Sequence, residues 1–348
     1  MTERAIDTAT PTTTLAAALR VVLARQARAH GEVQSLQRLT GGATKQTWSF
    51  DWVCGDEREA LILQQMSEAP SRPGGPPKLS AEQDAALMTA AREAGVPAPR
   101  VHRLLRPEDG LGSGYVTGRI AGETLGRKLV ADPALAEARK RLAAQCGRAL
   151  AAIHALPLER SGFLQRLSPS DELRIYAGLL DGLERRHAAL AYAVRWVAAH
   201  LPQQWESRVV HADFRSGNLI VGPEGLRCVL DWEIARIGDP MQDLGVLCMR
   251  TWRFGGEGLA REVGGFGARE DLYAAYEAAS GTRVDPDRVR FWEVFSNLKW
   301  AISCVRRGSA RRADGRPASV ELAAIGRRLE EPLWDLLALT TQDAGGRR

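Results

Sequence analysis

The chain has 348 residues, of which 45% are hydrophobic and 26% charged, enough for two domains with real cores and too apolar for a disordered chain. Its net charge is +5, but Lys stands only at 45, 78, 128, 140 and 299, and acidic residues are interspersed among the many Arg, so no basic footprint for nucleic acid emerges. No apolar run approaches the ~20 residues that cross a bilayer. The N-terminus lacks the apolar stretch of a secretion signal, and Cys54, Cys146, Cys228, Cys248 and Cys304 form no CxxC pair, so reduced thiols in a cytoplasmic protein without zinc or disulfides are expected.

In chain order, "LAAALRVVLARQA" has helical spacing. "VQSLQRLTGGATKQTWSFDWV" predicts a hairpin around a glycine turn, and "ALILQQM" a buried third strand. "SRPGGPPK" is a loop. "SAEQDAALMTAAREAG" predicts a helix capped by Ser80 and stopped at Gly95, with "VPAPRVHRLL" extended after it and "GYVTGRIAGETL" as the last strand and exit of this part. From about residue 131 helices take over, notably "ALAEARKRLAAQCGRALAAIHAL", "LERRHAALAYAVRWVAAHL" and, at the end, "ELAAIGRRLEEPLWDLLALT". One stretch, residues 211–233, interrupts them: "NLIV", the turn "GPEG" and the extended "RCVLDWE". The expected architecture is α+β, a small antiparallel-sheet lobe before a larger, mainly helical one. Its expected boundaries are a helical extension over 1–30, a lobe over 31–122 and a second over 123–348.

The interrupting stretch carries the chemistry. In "HADFRSGNLIVGPEGLRCVLDWE", Asp213 lies five residues before Asn218, and Asp231 thirteen after it, across the predicted hairpin. Folding that hairpin brings Asn218 and Asp231 to one site, where two oxygens suit Mg²⁺, a hard cation that takes few protein ligands and completes its octahedron with substrate phosphates and water. Asp213, just before, is free to accept a hydroxyl proton.

This pattern resembles the aminoglycoside phosphotransferase and choline kinase family of protein-kinase-like enzymes. The resemblance rests on "LTGGATKQTWSF", "GVPAPRV", "LAAIH", "HADFRSGNLIV" and "VLDWEIARIGDPMQDLG". "GDPMQDLG" with "TWRFGG" and "LKWA" is most similar to the branch of kinase domains associated with acyl-CoA dehydrogenases. It implies a two-lobed kinase fold and transfer of a phosphoryl group from ATP, with Mg²⁺, to the hydroxyl of a small molecule. Asp213 would be the catalytic base, and Arg215 would neutralise charge on the transferring group. Asn218 and Asp231 would hold Mg²⁺, with Glu233 contributing from the same side of an extended strand. Gly41, Gly42 and Thr44 would meet the ATP phosphates through backbone amides, and the adenine would meet Thr117, Gly118 and Arg119. A monomer or homodimer without membrane or nucleic-acid partners is expected.

The third strand departs from the family pattern, with Gln64 where relatives carry Lys or Arg, and Asp84 or Glu82 where they carry the partnering Glu. That leaves open weaker ATP affinity, compensation by Lys45, or a nucleotide-binding protein without turnover. His154, Asp239 and Asp243 are expected to be structural, the acids capping a helix and bracing the loop. Arg253 and Lys299 are expected in internal ion pairs. The arginines at 306, 307, 311, 312 and 316 are read as a solvated face, with an anchor for an anionic substrate as the alternative. From Ile234 onward 18 basic residues face 16 acidic ones, an unsuitable balance for receiving a polycation. A hydroxy acid or its CoA thioester is therefore the favoured acceptor, with an aminoglycoside as the alternative.

Overall fold

A computed structural model describes residues 12–27, 31–39, 45–66, 75–312 and 314–345. The chain divides into two compact units. The first comprises Met1–Pro70, Ser80–Thr89 and Pro99–Arg119, and the second Ser71–Leu79, Ala90–Ala98 and Ile120–Arg348.

In the first unit, α1 (Thr12–Ala27) is followed by β1 (Glu32–Leu39), β2 (Lys45–Cys54), β3 (Glu57–Met66), the part of α2 (Ala81–Glu93) up to Thr89, β4 (Val101–Leu104) and β5 (Gly114–Gly118). The strands form one antiparallel sheet in the order β1-β2-β3-β5-β4. Alternation divides it by face. Phe50, Trp52, Leu61, Leu63 and Val116 turn to one side, where they pack with Leu15, Leu19, Val22 and Leu23 of α1 into the unit's core. The opposite face carries Lys45, Thr47, Ser49 and Asp51 of β2, Gln64 of β3, opposite Thr47, and Tyr115 and Thr117 of β5. The predicted Ser80 cap is present: Gln83 donates its backbone N–H to Ser80 Oγ at 3.3 Å, and Gln83 Oε1 accepts from Ser80 N at 3.0 Å.

In the second unit the helices α3 (Gly126–Ala131), α4 (Ala136–His154), α5 (Pro169–Asp181), α6 (Ala188–Ala199), α7 (Met241–Cys248), α8 (Arg269–Ser280), α9 (Pro286–Gly308), α10 (Val320–Gly326) and α11 (Glu330–Gly345) surround short strands. β7 (Leu219–Gly222) and β8 (Gly225–Val229) form the predicted hairpin, while β6 (Arg208–Val210) pairs with β9 (Arg236–Gly238). α7 lies so close on α9 that a Cβ at Gly245 would stand 2.8 Å from Val289 O. That glycine fixes the height of α7, and with it the position of Asp243.

Three expectations are corrected. The helix expected over "LERRHAALAYAVRWVAAHL" begins only at Ala188, after a turn, and the last predicted helix is divided by a short 3-10 segment, Arg327–Leu329. The strand expected to run to Glu233 ends at Val229, and Asp231 takes φ 63°. The alternation that was to put Glu233 beside Asp231 does not extend that far.

Candidate active site

The loop between β6 and β7 is built on Asp243. This fully buried carboxylate accepts the backbone N–H of His211 at 2.8 Å and of Ala212 at 2.7 Å, and meets His154 Nε2 at 3.1 Å. His154 Nδ1 in turn faces the Tyr276 hydroxyl at 2.9 Å. Burial pushes the Asp243 carboxyl up, but the hydrogen bond and charge of His154, together with His211, outweigh it and hold Asp243 below the ordinary range. Ala212 adopts φ 66°, a left-handed conformation that costs a non-glycine residue about 1–2 kcal/mol; the two N–H bonds to Asp243 hold it there. The neighbouring Asp239, just before the N-cap Pro240 of α7, accepts the Met241 N–H at 3.0 Å and Trp292 Nε1 at 2.7 Å. Both acids are structural, as expected.

His211 completes the brace. Its Nε2 donates to the Leu230 carbonyl at 3.0 Å and its Nδ1 accepts the Asp213 N–H at 3.3 Å. Burial lowers its pKa, despite the opposing pull of Asp243, which keeps the ring neutral and suits one nitrogen donating while the other accepts. The ring packs against Trp232 and Phe214.

The brace presents Asp213. Its Oδ2 accepts from Asn218 Nδ2 at 2.7 Å and its Oδ1 from Arg215 Nε at 3.0 Å. The Arg215 guanidinium lies over Trp252 at 4.6 Å, in space that a Cβ on Gly217 would fill, 2.3 Å from its Nη1. Asn218 Nδ2 also donates to the Asp213 carbonyl at 2.9 Å. Two oxygens can accept only from the amide nitrogen, so chemistry sets the orientation of Asn218, and no donor among the described residues reaches its Oδ1. Leu230 N donates to Asn218 O at 2.8 Å, closing the hairpin and bringing Asn218 within one residue of the level of Asp231.

A neutral amide oxygen and a carboxylate at the base of one hairpin fit Mg²⁺, which takes one or two protein oxygens and leaves the rest to phosphate and water. Among the described residues, no three His, Cys, Asp or Glu side chains converge to hold a metal by themselves. Glu233, the third metal candidate, meets Lys78 Nζ at 2.7 Å, and its carbonyl accepts from Leu79 N at 2.8 Å.

The nucleotide candidates fall in two groups. Gly41, Gly42 and Thr44 lie outside the described residues. Of the others, Lys45 Nζ is 3.1 Å from Asp84 Oδ2, and Gln64 Oε1 is 2.6 Å from the Tyr115 hydroxyl. Thr117 is buried on β5, Gly118 N donates to Arg100 O at 3.0 Å, and the Arg119 guanidinium is engaged by Ser49 Oγ at 2.6 Å and Asp51 Oδ1 at 2.5 Å.

The sequence reading missed a buried charge cluster. Glu172 of α5 accepts Arg236 Nε at 3.0 Å and Nη2 at 2.8 Å, and Gln242 Nε2 at 2.7 Å, and it also pairs with Lys299. The Lys299 ammonium sits over Phe295 at 4.5 Å and Trp292 at 4.7 Å. Burial lowers its pKa to about 8 against the support of Glu172. The lone Lys in "LKWA" signalled an internal pair, but Glu172, in an ordinary capped helix start, carried no signal. Arg253 also stays internal, donating to Cys248 O at 2.8 Å and lying 3.7 Å from Glu293.

The model of the phosphotransferase enzyme family matches residues 35–292. The chain belongs to this family. A solved structure described as a putative aminoglycoside phosphotransferase from Ralstonia eutropha has a TM-score of 0.71 at 21% identity, covering 94% of this chain and 98% of that one. Spectinomycin phosphotransferase, solved in complex with ADP and spectinomycin, has a TM-score of 0.61 at 12% identity, covering 92% of this chain and 97% of the other. These likenesses bear out the two-lobed kinase-like α+β fold. The curated Mus musculus protein named acyl-CoA dehydrogenase family member 10 is 26% identical over 179 residues, 48% of this chain but only 16% of that protein. The phosphotransferase thus matches a small part of that relative's length. No helix among its described residues is long and apolar enough to cross a membrane.

Proposed function

We propose that this phosphotransferase is an ATP- and Mg²⁺-dependent small-molecule kinase that moves the γ-phosphoryl group to an acceptor hydroxyl. The observation that carries the reading is the Asp213 carboxylate, held between Asn218 and Arg215 on a loop braced from beneath by Asp243 and His211. Such a carboxylate orients a hydroxyl and takes its proton, while the Arg215 guanidinium supplies positive charge beside it. Asn218 and Asp231 would hold Mg²⁺, which when bound neutralises phosphate charge; the solved spectinomycin phosphotransferase with ADP supports the nucleotide.

For the acceptor we favour an anionic hydroxy acid or its CoA thioester. From Ile234 onward 18 basic residues face 16 acidic ones, with no acidic surplus suited to an aminoglycoside polycation. The similarity to acyl-CoA dehydrogenase family member 10 supports the same class. The test is ATP consumption with Mg²⁺ across hydroxyacyl-CoAs, free hydroxy acids, choline-like alcohols and aminoglycosides. Turnover confined to aminoglycosides would overturn the acceptor assignment, and absence of Mg²⁺-ATP binding by the folded protein would overturn the kinase reading.

A further inference from the structure

The polar face of the first unit's sheet holds a buried ion pair that β2 supplies. Lys45 stands opposite Met66, and Thr47, two residues on, opposite Gln64, so Lys45 and Gln64 share this face one pair apart along the ladder. Lys45 Nζ lies 3.1 Å from Asp84 Oδ2, with the two side chains 7% and 0% exposed. The same Asp84 oxygen is 2.8 Å from the Tyr115 hydroxyl, which is itself 2.6 Å from Gln64 Oε1. Tyr115 stands directly opposite Gln64 on β5, so register alone puts its ring there. Glu82, the alternative acid, does not enter the group: Lys45 and Tyr115 both meet Asp84.

This arrangement separates the two polar residues by role. Gln64 is neutral and its oxygen already faces the Tyr115 hydroxyl. Lys45 carries the charge, and a Lys that is almost wholly enclosed keeps that charge only with an acid beside it. A hydroxyl has one proton, so Tyr115 donates to Gln64 or to Asp84 and couples the two positions. Its ring, 1% exposed, is rigid packing for the acid that holds Lys45.

We infer that the cation meeting the nucleoside triphosphate's phosphates in this protein is Lys45 of β2, in place of a residue at position 64 of β3, and that Asp84 and Tyr115 are its positioning residues. The inference rests on the kinase reading above. It makes the departure at Gln64 a displacement of the charge by one strand and not its loss.

The test uses the full chain, with calorimetric Mg²⁺-ATP affinity and steady-state kinetics on an accepted substrate. Lys45→Met weakens ATP binding about tenfold, the usual difference between a charged and a neutral contact to phosphate. Because that variant leaves Asp84 buried without its ammonium, Lys45→Met/Asp84→Asn is measured beside it; removing both charges spares the fold and leaves ATP binding as weak as in the single variant. Adding Gln64→Lys to Lys45→Met recovers most of the affinity, since a lysine there reaches the same acid. Tyr115→Phe raises KM for ATP several-fold and leaves KM for the acceptor unchanged, a split that a general loss of stability would not produce. If the folded double-neutral variant binds Mg²⁺-ATP as tightly as the unmodified protein, which itself binds and turns over, the assignment of Lys45 is wrong while the kinase reading stands. If the unmodified protein does not bind Mg²⁺-ATP, the kinase reading fails first.

Discussion

Replacing Asp243 by Asn removes part of the brace beneath the loop that carries Asp213. Asp243 presents two acceptor oxygens: Oδ2 to His211 N and His154 Nε2, and Oδ1 to Ala212 N. An amide keeps one oxygen. Oriented to lose the fewest bonds, the side chain of Asp243→Asn keeps the Oδ2 contacts and turns its NH₂ toward the Ala212 N–H, donor against donor. One buried backbone N–H left without a partner costs about 1–3 kcal/mol, and loss of the negative charge from the remaining bonds adds about 1 kcal/mol, for roughly 2–4 kcal/mol in total. Ala212 then keeps only one of the two bonds that hold it at φ 66°, and relaxing that residue moves Asp213, the next in the chain. A misplacement of about 1 Å at a catalytic group costs on the order of a hundredfold in rate. Urea unfolding combined with kcat on an accepted substrate measures both effects. A loss of stability below about 0.5 kcal/mol, or undiminished kcat in the variant, would refute the account of the brace.

Further outcomes follow from the same geometry. Asp213→Asn lowers kcat by about 10²–10⁴ and leaves Mg²⁺-ATP affinity near that of the unmodified protein, because the carboxylate serves the acceptor hydroxyl; unchanged kcat would reject the base assignment. Asp231→Ala weakens Mg²⁺-dependent nucleotide binding more than Asn218→Ala does, since a carboxylate brings charge as well as a lone pair; calorimetry giving equal ATP affinity with and without Mg²⁺ would dismiss both as ligands. Lys299 has its pKa lowered from 10.5 to about 8, so between these values the unfolded chain binds more protons than the folded one. Its burial penalty is fully present below pH 8 and relieved as pH rises to 10.5, so the protein gains on the order of 3 kcal/mol relative to Lys299→Met across that window. A flat difference between their denaturant-unfolding stabilities would show that the ammonium is not held as described.

The sequence by itself determined the parts of this protein whose chemistry is local. Hydrophobic alternation and a Gly/Pro turn specify β7 and β8, and any hairpin returns its ends to one place, so the pairing of Asn218 with the chain beside Asp231 is legible in the sequence alone. The same holds for β2 and β3, for the Ser80 cap, and for the structural roles of His154, Asp239, Asp243, Arg253 and Lys299, where a polar group among apolar neighbours announces that it needs a partner. Which partner it finds is a matter of packing between elements far apart in sequence. Glu172 reaches Lys299 across 127 positions, and Asp243 reaches His154 across 89; neither separation leaves a periodic trace. Strand register, not composition, set Tyr115 opposite Gln64, and the packing of α2 brought Asp84 to Lys45. Where the reading erred, at the end of β8, a backbone torsion decided the outcome: Asp231 leaves the extended region, and the side of the chain that Glu233 occupies depends on that turn and not on alternation.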